Sequence, residues 1–276
     1  LLPVRSRLKF SLLSHIHLHA KSQERFADSA VDTRGRGMSR MGFLGLVDSL
    51  ESTIRGLKWR PAGTEWGDYY EDTNYTEEAR EHKRRLVAEY LDEIGPESVW
   101  DLGANTGLFS RVASERGVRT VAFDVDPAAV ETNYLQCASQ GETNLLPLVL
   151  DLTNPSPGLG WAGEERMFLV ERGPADAALA LALVHHLAIS NNLPFSRIAE
   201  FFSRICRYVV IEFVPKRDSQ VQRLLTTRED IFTDYTEEAF EAAFGERFGI
   251  RRCERVSGSE RSLYLMDNGR RPIAGG

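Results

Sequence analysis

From Ser98 to Phe213 the chain repeats one pattern: a short apolar run, a turn built from Gly, Asp or Pro, and a longer amphipathic stretch. The apolar runs Ser98–Leu102, Thr120–Asp124, Leu145–Leu150, Ala177–Leu183 and Tyr208–Phe213 read as strands. The stretches Thr106–Arg116, Pro127–Gln140 and Phe195–Arg204 read as helices. Runs this apolar, with little polar alternation, suit strands covered on both faces. Short connections from strand to helix to strand then require right-handed crossovers and a parallel sheet. The end breaks the pattern. After a helical stretch at Thr236–Phe244, "FGIRRCERV" and "RSLYLMD" are separated only by "SGSE", a spacing for a hairpin. The last strand is therefore expected to run antiparallel to its neighbours.

Upstream, residues 1–60 read as helical. Leu8, Leu12, Leu13 and Ile16 form one stripe, and Met41, Leu44, Val47, Leu50, Ile54 and Leu57 form another; "VDTRGRGMSR" breaks the chain between them. The segment "WRPAGTEWGDYYEDTNY", Trp59–Tyr75, gathers aromatic side chains among turn formers. A helix then runs from Thr76 to about Glu93 and stops at Gly95-Pro96. The expected division is an N-terminal helical region with an aromatic segment, residues 1–75, followed by an α/β domain, residues 76–276.

Charge follows the same division. Residues 1–60 carry 11 Lys and Arg against 5 Asp and Glu, while the rest of the chain carries 23 against 35. An acidic α/β part argues against a large nucleic acid as its partner. No run of 18 apolar residues appears, so no membrane span is expected, and Leu8–Leu13 is too short for a signal peptide. Cys137, Cys206 and Cys253 are odd in number, widely spaced and free of CxxC spacing. They point to neither disulfides nor zinc, and favour a reducing compartment, read as the cytoplasm. His15, His17 and His19 lack a carboxylate or Cys cluster nearby and are not read as metal ligands. A first residue that is Leu rather than Met points to a longer chain.

The turn after the first strand carries the chemistry. In "VWDLGANTG", Gly103 and Gly107 allow a tight strand-to-helix turn and close approach of a ligand. A nicotinamide-binding turn would show G-x-G-x-x-G over a pyrophosphate; here the spacing is G-x-x-x-G with Asp101 at the strand end. A carboxylate beside a pyrophosphate is repulsive, and beside a cation it is favourable. Asp124 ends the second strand in "VAFDVDP" and can accept from both hydroxyls of a ribose. Asp151, in "PLVLDLTNP", comes after the third strand and can accept from an adenine amino group. Three acids at successive strand ends converge on one crevice.

These residues resemble the class I S-adenosylmethionine-dependent methyltransferases. "VWDLGANTG" is similar to their glycine-rich first motif, "VAFDVD" to the acidic second, "LDLTNP" to the third, and "ADAALALALVHHLA" to the fourth strand and the segment after it. The hairpin matches their reversed last strand. "HLHAKSQERFAD", "GTEWGDYYEDTNY" and "IEFVPKRDSQVQRLLTTRED" further resemble a bacterial branch that includes nodulation-related methyltransferases, often the C-terminal part of a longer chain. The resemblance implies an α/β, Rossmann-like doubly wound seven-stranded sheet, mostly parallel with an antiparallel last strand, plus the N-terminal helical region. It implies S-adenosyl-L-methionine as cofactor. Asp101, Gly103, Ala104, Asn105 and Gly107 would lie along its methionine part, with Ala182–Val184 beneath. Asp124 would hold the ribose, and Asp151 with Leu152 the adenine. Ala104-Asn105 departs from the commoner Cys or Ser followed by Gly.

The acceptor side is less defined. Methyl transfer is an in-line displacement for which positioning supplies much of the acceleration. A base is needed only where the acceptor must lose a proton, and His185 and His186 after the fourth strand are the candidates. Glu212 near the end of the fifth strand is a further polar candidate. No Asn-Pro-Pro-Tyr or Asp-Pro-Pro-Tyr comes after the fourth strand, which disfavours methylation of a base amine. No cysteine sits at a strand end in this reading, which disfavours a covalent cysteine route. The resemblance also makes Trp66–Tyr75 a lid, with Tyr69, Tyr70, Asn74 and Tyr75 facing the sulfonium or acceptor, since aromatic faces suit a cation. The expectation is methyl transfer to an unidentified small molecule. The alternatives are a silent methyltransferase-like scaffold within a longer protein and, less favoured, a nicotinamide-dependent oxidoreductase.

Overall fold

The computed structural model describes residues 4–27, 37–57 and 76–269. They fall into two compact units, one made of residues 4–57 and one of residues 76–269. The first holds α1 (Phe10–Leu12), a wide π-helical turn at Leu13–Leu18, α2 (His19–Phe26) and α3 (Arg40–Arg55). Ser39 caps α3 by accepting from the N–H of Gly42 at 3.1 Å. His17 bonds Ser6 at 2.8 Å and His15 bonds Ser49 at 3.0 Å through their ring Nε2 atoms. None of these helices has a buried residue. No helix among the described residues is long and apolar enough to cross a membrane.

The second unit starts with α4 (Glu77–Ile94), and its ends are dictated by its sequence. Thr76 accepts from the N–H of Ala79 at 3.1 Å, satisfying a first-turn donor. Gly95 closes the other end at φ 54°, a left-handed cap that glycine adopts freely. Ala79, Leu86, Val87, Tyr90 and Leu91 are buried on one face; each of the larger ones contributes roughly 1.5–3 kcal/mol. Lys83 lies on that same face, also buried.

Beyond α4 the chain forms β1 (Ser98–Leu102), α5 (Leu108–Ser114), β2 (Arg119–Asp124), α6 (Pro127–Gln140), β3 (Leu145–Val149) and β4 (Ala175–Ala180). Then come α7 (Phe195–Ile205), β5 (Cys206–Phe213), α8 (Ser219–Leu225), α9 (Glu237–Gly245), β6 (Gly249–Arg255) and β7 (Ser262–Asp267). The described strands form one seven-stranded sheet in the order β3-β2-β1-β4-β5-β7-β6. β3 to β5 are parallel, and β7 runs antiparallel to both β5 and β6. The last strand is reversed, as expected; it is wedged between β5 and β6, and β6 takes the edge.

Alternating residues of the central strands serve two cores. Trp100, Leu102, Ala178, Val209 and Ile211 pack with Phe202 of α7 and with Phe240 and Phe244 of α9. Val99, Leu179 and Val210 pack with Leu86, Val87 and Tyr90 of α4 and with Phe109 and Val112 of α5. Chain order reverses direction between β1 and β4, and a crevice opens at such a point beyond the strands' carboxyl ends.

Two expectations need correction. The fourth strand is expected from sequence to continue to Leu183, but β4 ends at Ala180 because Ala182 turns into the left-handed region at φ 50°. Cys206 does sit at a strand end: it opens β5, at the end of the strand away from the crevice, where burial pushes its thiol far up.

Candidate functional site

Gly103 and Gly107 adopt φ of 80° and 81°, with Asn105 between them at 51°. The turn is tied to the neighbouring strand, since the N–H groups of Gly103 and Ala104 both donate to the Phe123 carbonyl at 2.9 Å. It is tied a second time through Asp124. One carboxylate oxygen of Asp124 accepts from the Asn105 N–H at 2.7 Å, and the other from the Asp126 N–H at 2.9 Å. Burial raises the Asp124 carboxyl, and these backbone donors pull it back. Asp126 in turn caps α6, as its sequence position predicts, accepting from the Ala128 N–H at 2.8 Å ahead of Pro127.

A cleft of about 450 Å³ lies on this turn. Gly103, Asn105 and Asp124 line one part, Asp151, Leu152 and Thr153 a second, and Leu181 to Leu183 a third. His186, Ser190, Asn191 and Leu224 also line it. Asp151 is exposed, and its carboxylate accepts from the Thr153 hydroxyl at 2.7 Å and the Thr153 N–H at 2.8 Å, which holds its pKa down. Among the described residues the lining carries two carboxylates and no Lys or Arg.

Other candidates stand behind the lining. Asp101 is 2% exposed and accepts from the Ser110 hydroxyl at 2.6 Å. Burial pushes its carboxyl up to about 7, against the pull of that hydroxyl. Ala104 is buried, and Gly107 is the first cap of α5, where an added Cβ would stand 2.4 Å from Asn133 Nδ2. His185 is fully buried, and neither ring nitrogen has a hydrogen-bond partner among the described residues. Its ring lies against that of His186, tilted by 40° with 4.1 Å between centroids. Burial holds both imidazoles neutral, His185 well below its usual range and His186 at about 4. Tyr75 and the rest of the expected lid, Trp66–Tyr75, lie outside the described residues.

Sequence reading passed over Lys83, Asp218 and Arg261, which meet Glu212 in a buried cluster beside this cleft. Lys83 did carry a signal, being a lone charge on the apolar stripe of α4. Arg261 carried none, since it is a charged residue at the start of the "RSLYLMD" run, next to the polar connection.

No family model matches the chain. Nodulation protein NoeA of Rhizobium meliloti (strain 1021) is 39% identical over 273 residues, which are 97% of this chain and 57% of that protein. The chain is homologous to the part of NoeA it covers and spans little more than half of its length. The crystal structure of WbdD superposes with a TM-score of 0.51 at 15% identity, over 81% of this chain and 48% of that one; this likeness is one of fold. Magnesium protoporphyrin IX methyltransferase (ChlM) from Synechocystis PCC 6803, solved with bound SAH, gives 0.49 at 16% identity, over 82% and 99%.

Proposed function

We propose that this chain, which has the class I S-adenosylmethionine-dependent methyltransferase fold, binds S-adenosyl-L-methionine in the cleft and moves its methyl group to a small-molecule acceptor. The observation that carries the reading is the lining itself. Gly103 presents bare backbone to the cleft, and Asp124 and Asp151 offer acceptors to a diol and an amine. With two carboxylates and no Lys or Arg among the described lining residues, the cleft suits a cationic nucleoside ligand and not a pyrophosphate. That disfavours a nicotinamide cofactor. A chain kept only as a scaffold has no need of the acids at Asp101, Asp124 and Asp151.

When bound, the cofactor supplies a methyl group on a positively charged sulfur. The residues divide the remaining work. Asp124 holds the ribose, already braced by two backbone N–H groups. Asp151 and Leu152 recognise the adenine. Gly103, Ala104, Asn105 and Gly107 shape the turn along the methionine part, and Asp101 underpins it through Ser110. His186 faces the acceptor end of the cleft with His185 behind it. An imidazole with its pKa near 4 is a weak base at neutral pH, so its part is to accept a hydrogen bond from an acceptor hydroxyl and orient it. We place the reaction in a reducing compartment, the cytoplasm, on the strength of three free, scattered cysteines. The acidic charge of the α/β unit continues to disfavour nucleic acid as acceptor.

Calorimetric titration with S-adenosylhomocysteine tests the reading. Wild type is expected to bind. Asp124→Asn, which keeps one oxygen for a backbone donor, should bind roughly 10–100-fold more weakly, the value of a charge-assisted hydrogen-bond pair. A folded wild type that binds nothing would sink the proposal.

A further inference from the structure

Glu212, next to last in β5, is fully buried in a place that the proposed cofactor contacts do not use. Its Oε2 accepts from Lys83 Nζ at 2.6 Å and from the Ala182 N–H at 2.7 Å. Its Oε1 stands 3.8 Å from Nη1 of Arg261. Arg261, 1% exposed, donates through Nε and Nη2 to the Asp218 carboxylate at 2.7 and 3.1 Å. Stability alone is a poor reason for such a group. Desolvating the charges is costly, and apolar side chains of similar volume often serve a fold as well or better.

The partner that sets Glu212 apart is a backbone donor. At φ 50°, Ala182 holds a conformation that a Cβ disfavours, so the turn persists only where its surroundings over-determine it. The turn also walls the cleft. Ala182 and Leu183 both line it, and a Cβ added to Gly103 would come within 3.3 Å of Leu183 Cδ1. The glycine turn and the Ala182–Leu183 turn thus face each other across a space that one added carbon would crowd.

We propose that Glu212 is a positioning residue: it fixes the Ala182–Leu183 turn, and so the width of the cleft, while Lys83 and Arg261 hold its carboxylate in place. The effect on ligand binding rests on the proposed cofactor reading; the effect on the turn does not.

The test is the double variant Lys83→Met with Glu212→Leu, which removes both charges together and leaves Arg261 with Asp218. Its thermal transition should stay close to wild type. In the ligand-free protein, the Ala182 amide should exchange about 10-fold faster or more, with the amides of α4 and β5 unchanged. S-adenosylhomocysteine should bind about 10-fold more weakly, a readout that a purely stabilising role would not move once stability is retained. Wild-type exchange and affinity in the folded double variant would overturn the proposal. Should that variant not fold, Glu212→Gln keeps an oxygen for Ala182 without the charge. Protection of Ala182 as in wild type then supports the assignment, and loss of it overturns it. If wild type binds no S-adenosylhomocysteine yet Ala182 exchange responds as stated, the cofactor reading falls and the role of Glu212 stands.

Discussion

Asp101 and Asp124 show two ways of keeping a carboxyl group inside a protein. Asp124 receives two backbone N–H groups, while Asp101 has the Ser110 hydroxyl and a pKa raised to about 7. The raised value fixes a sign. The unfolded chain loses this proton near pH 4 and the folded one near pH 7, so stability falls as pH rises through that window. Asp101→Asn should remove up to about 4 kcal/mol of this fall, read as a flatter dependence of Tm on pH between about 4 and 7. The histidines work in the opposite direction. With its folded pKa at about 4, His186 costs stability as pH falls from about 6.5 toward 4. His186→Asn should reduce the acid-side loss of Tm without touching the alkaline side. Both profiles are read by scanning calorimetry. The sequence made the acids visible as strand-end residues, but not their environments, because burial and donors depend on which helix each strand end meets.

At the scale of elements, the glycine turn is set by packing as much as by conformation. At Gly107 the φ of 81° already penalises a side chain, and a Cβ would overlap both polar atoms of Asn133 on α6. Gly107→Ala should therefore destabilise by about 1–3 kcal/mol, measured by urea unfolding, through overpacking added to left-handed strain. The helices α4 and α6 were legible because each has end signals of its own: Thr76 at the start and Gly95 at the stop of one, Asp126 and Pro127 at the start of the other. β4 was misjudged by three residues for a reason no local pattern reveals. "ALALALV" reads as uninterrupted strand, yet Ala182 gives its N–H to Glu212, 30 positions onward. A distant acceptor overrode a local preference.

For the whole molecule, the two units differ in what holds them. Both apolar cores lie within residues 76–269, whereas α1, α2 and α3 contain no buried residue. A chain starting at Pro61 should keep the main calorimetric transition within a few degrees, and residues 1–60 alone should show no cooperative one. The parallel sheet and its antiparallel ending were legible from alternation and the terminal hairpin, whereas the strand order, with β7 paired to β5, was not, because sequence adjacency indicates only the hairpin partner. That pairing bears on how the chain is made. β7 leaves the ribosome after every strand it joins, yet it fills an inner position. Until Ser262–Asp267 emerges, the nascent chain carries β5 with one side unzipped, and Tyr208–Phe213 offers an apolar, hydrogen-bond-hungry border to any neighbouring chain. Synthesis of this protein is thus exposed to aggregation until β7 emerges, and a message cut short just before Ser262 would yield inclusion bodies instead of a slightly weakened fold.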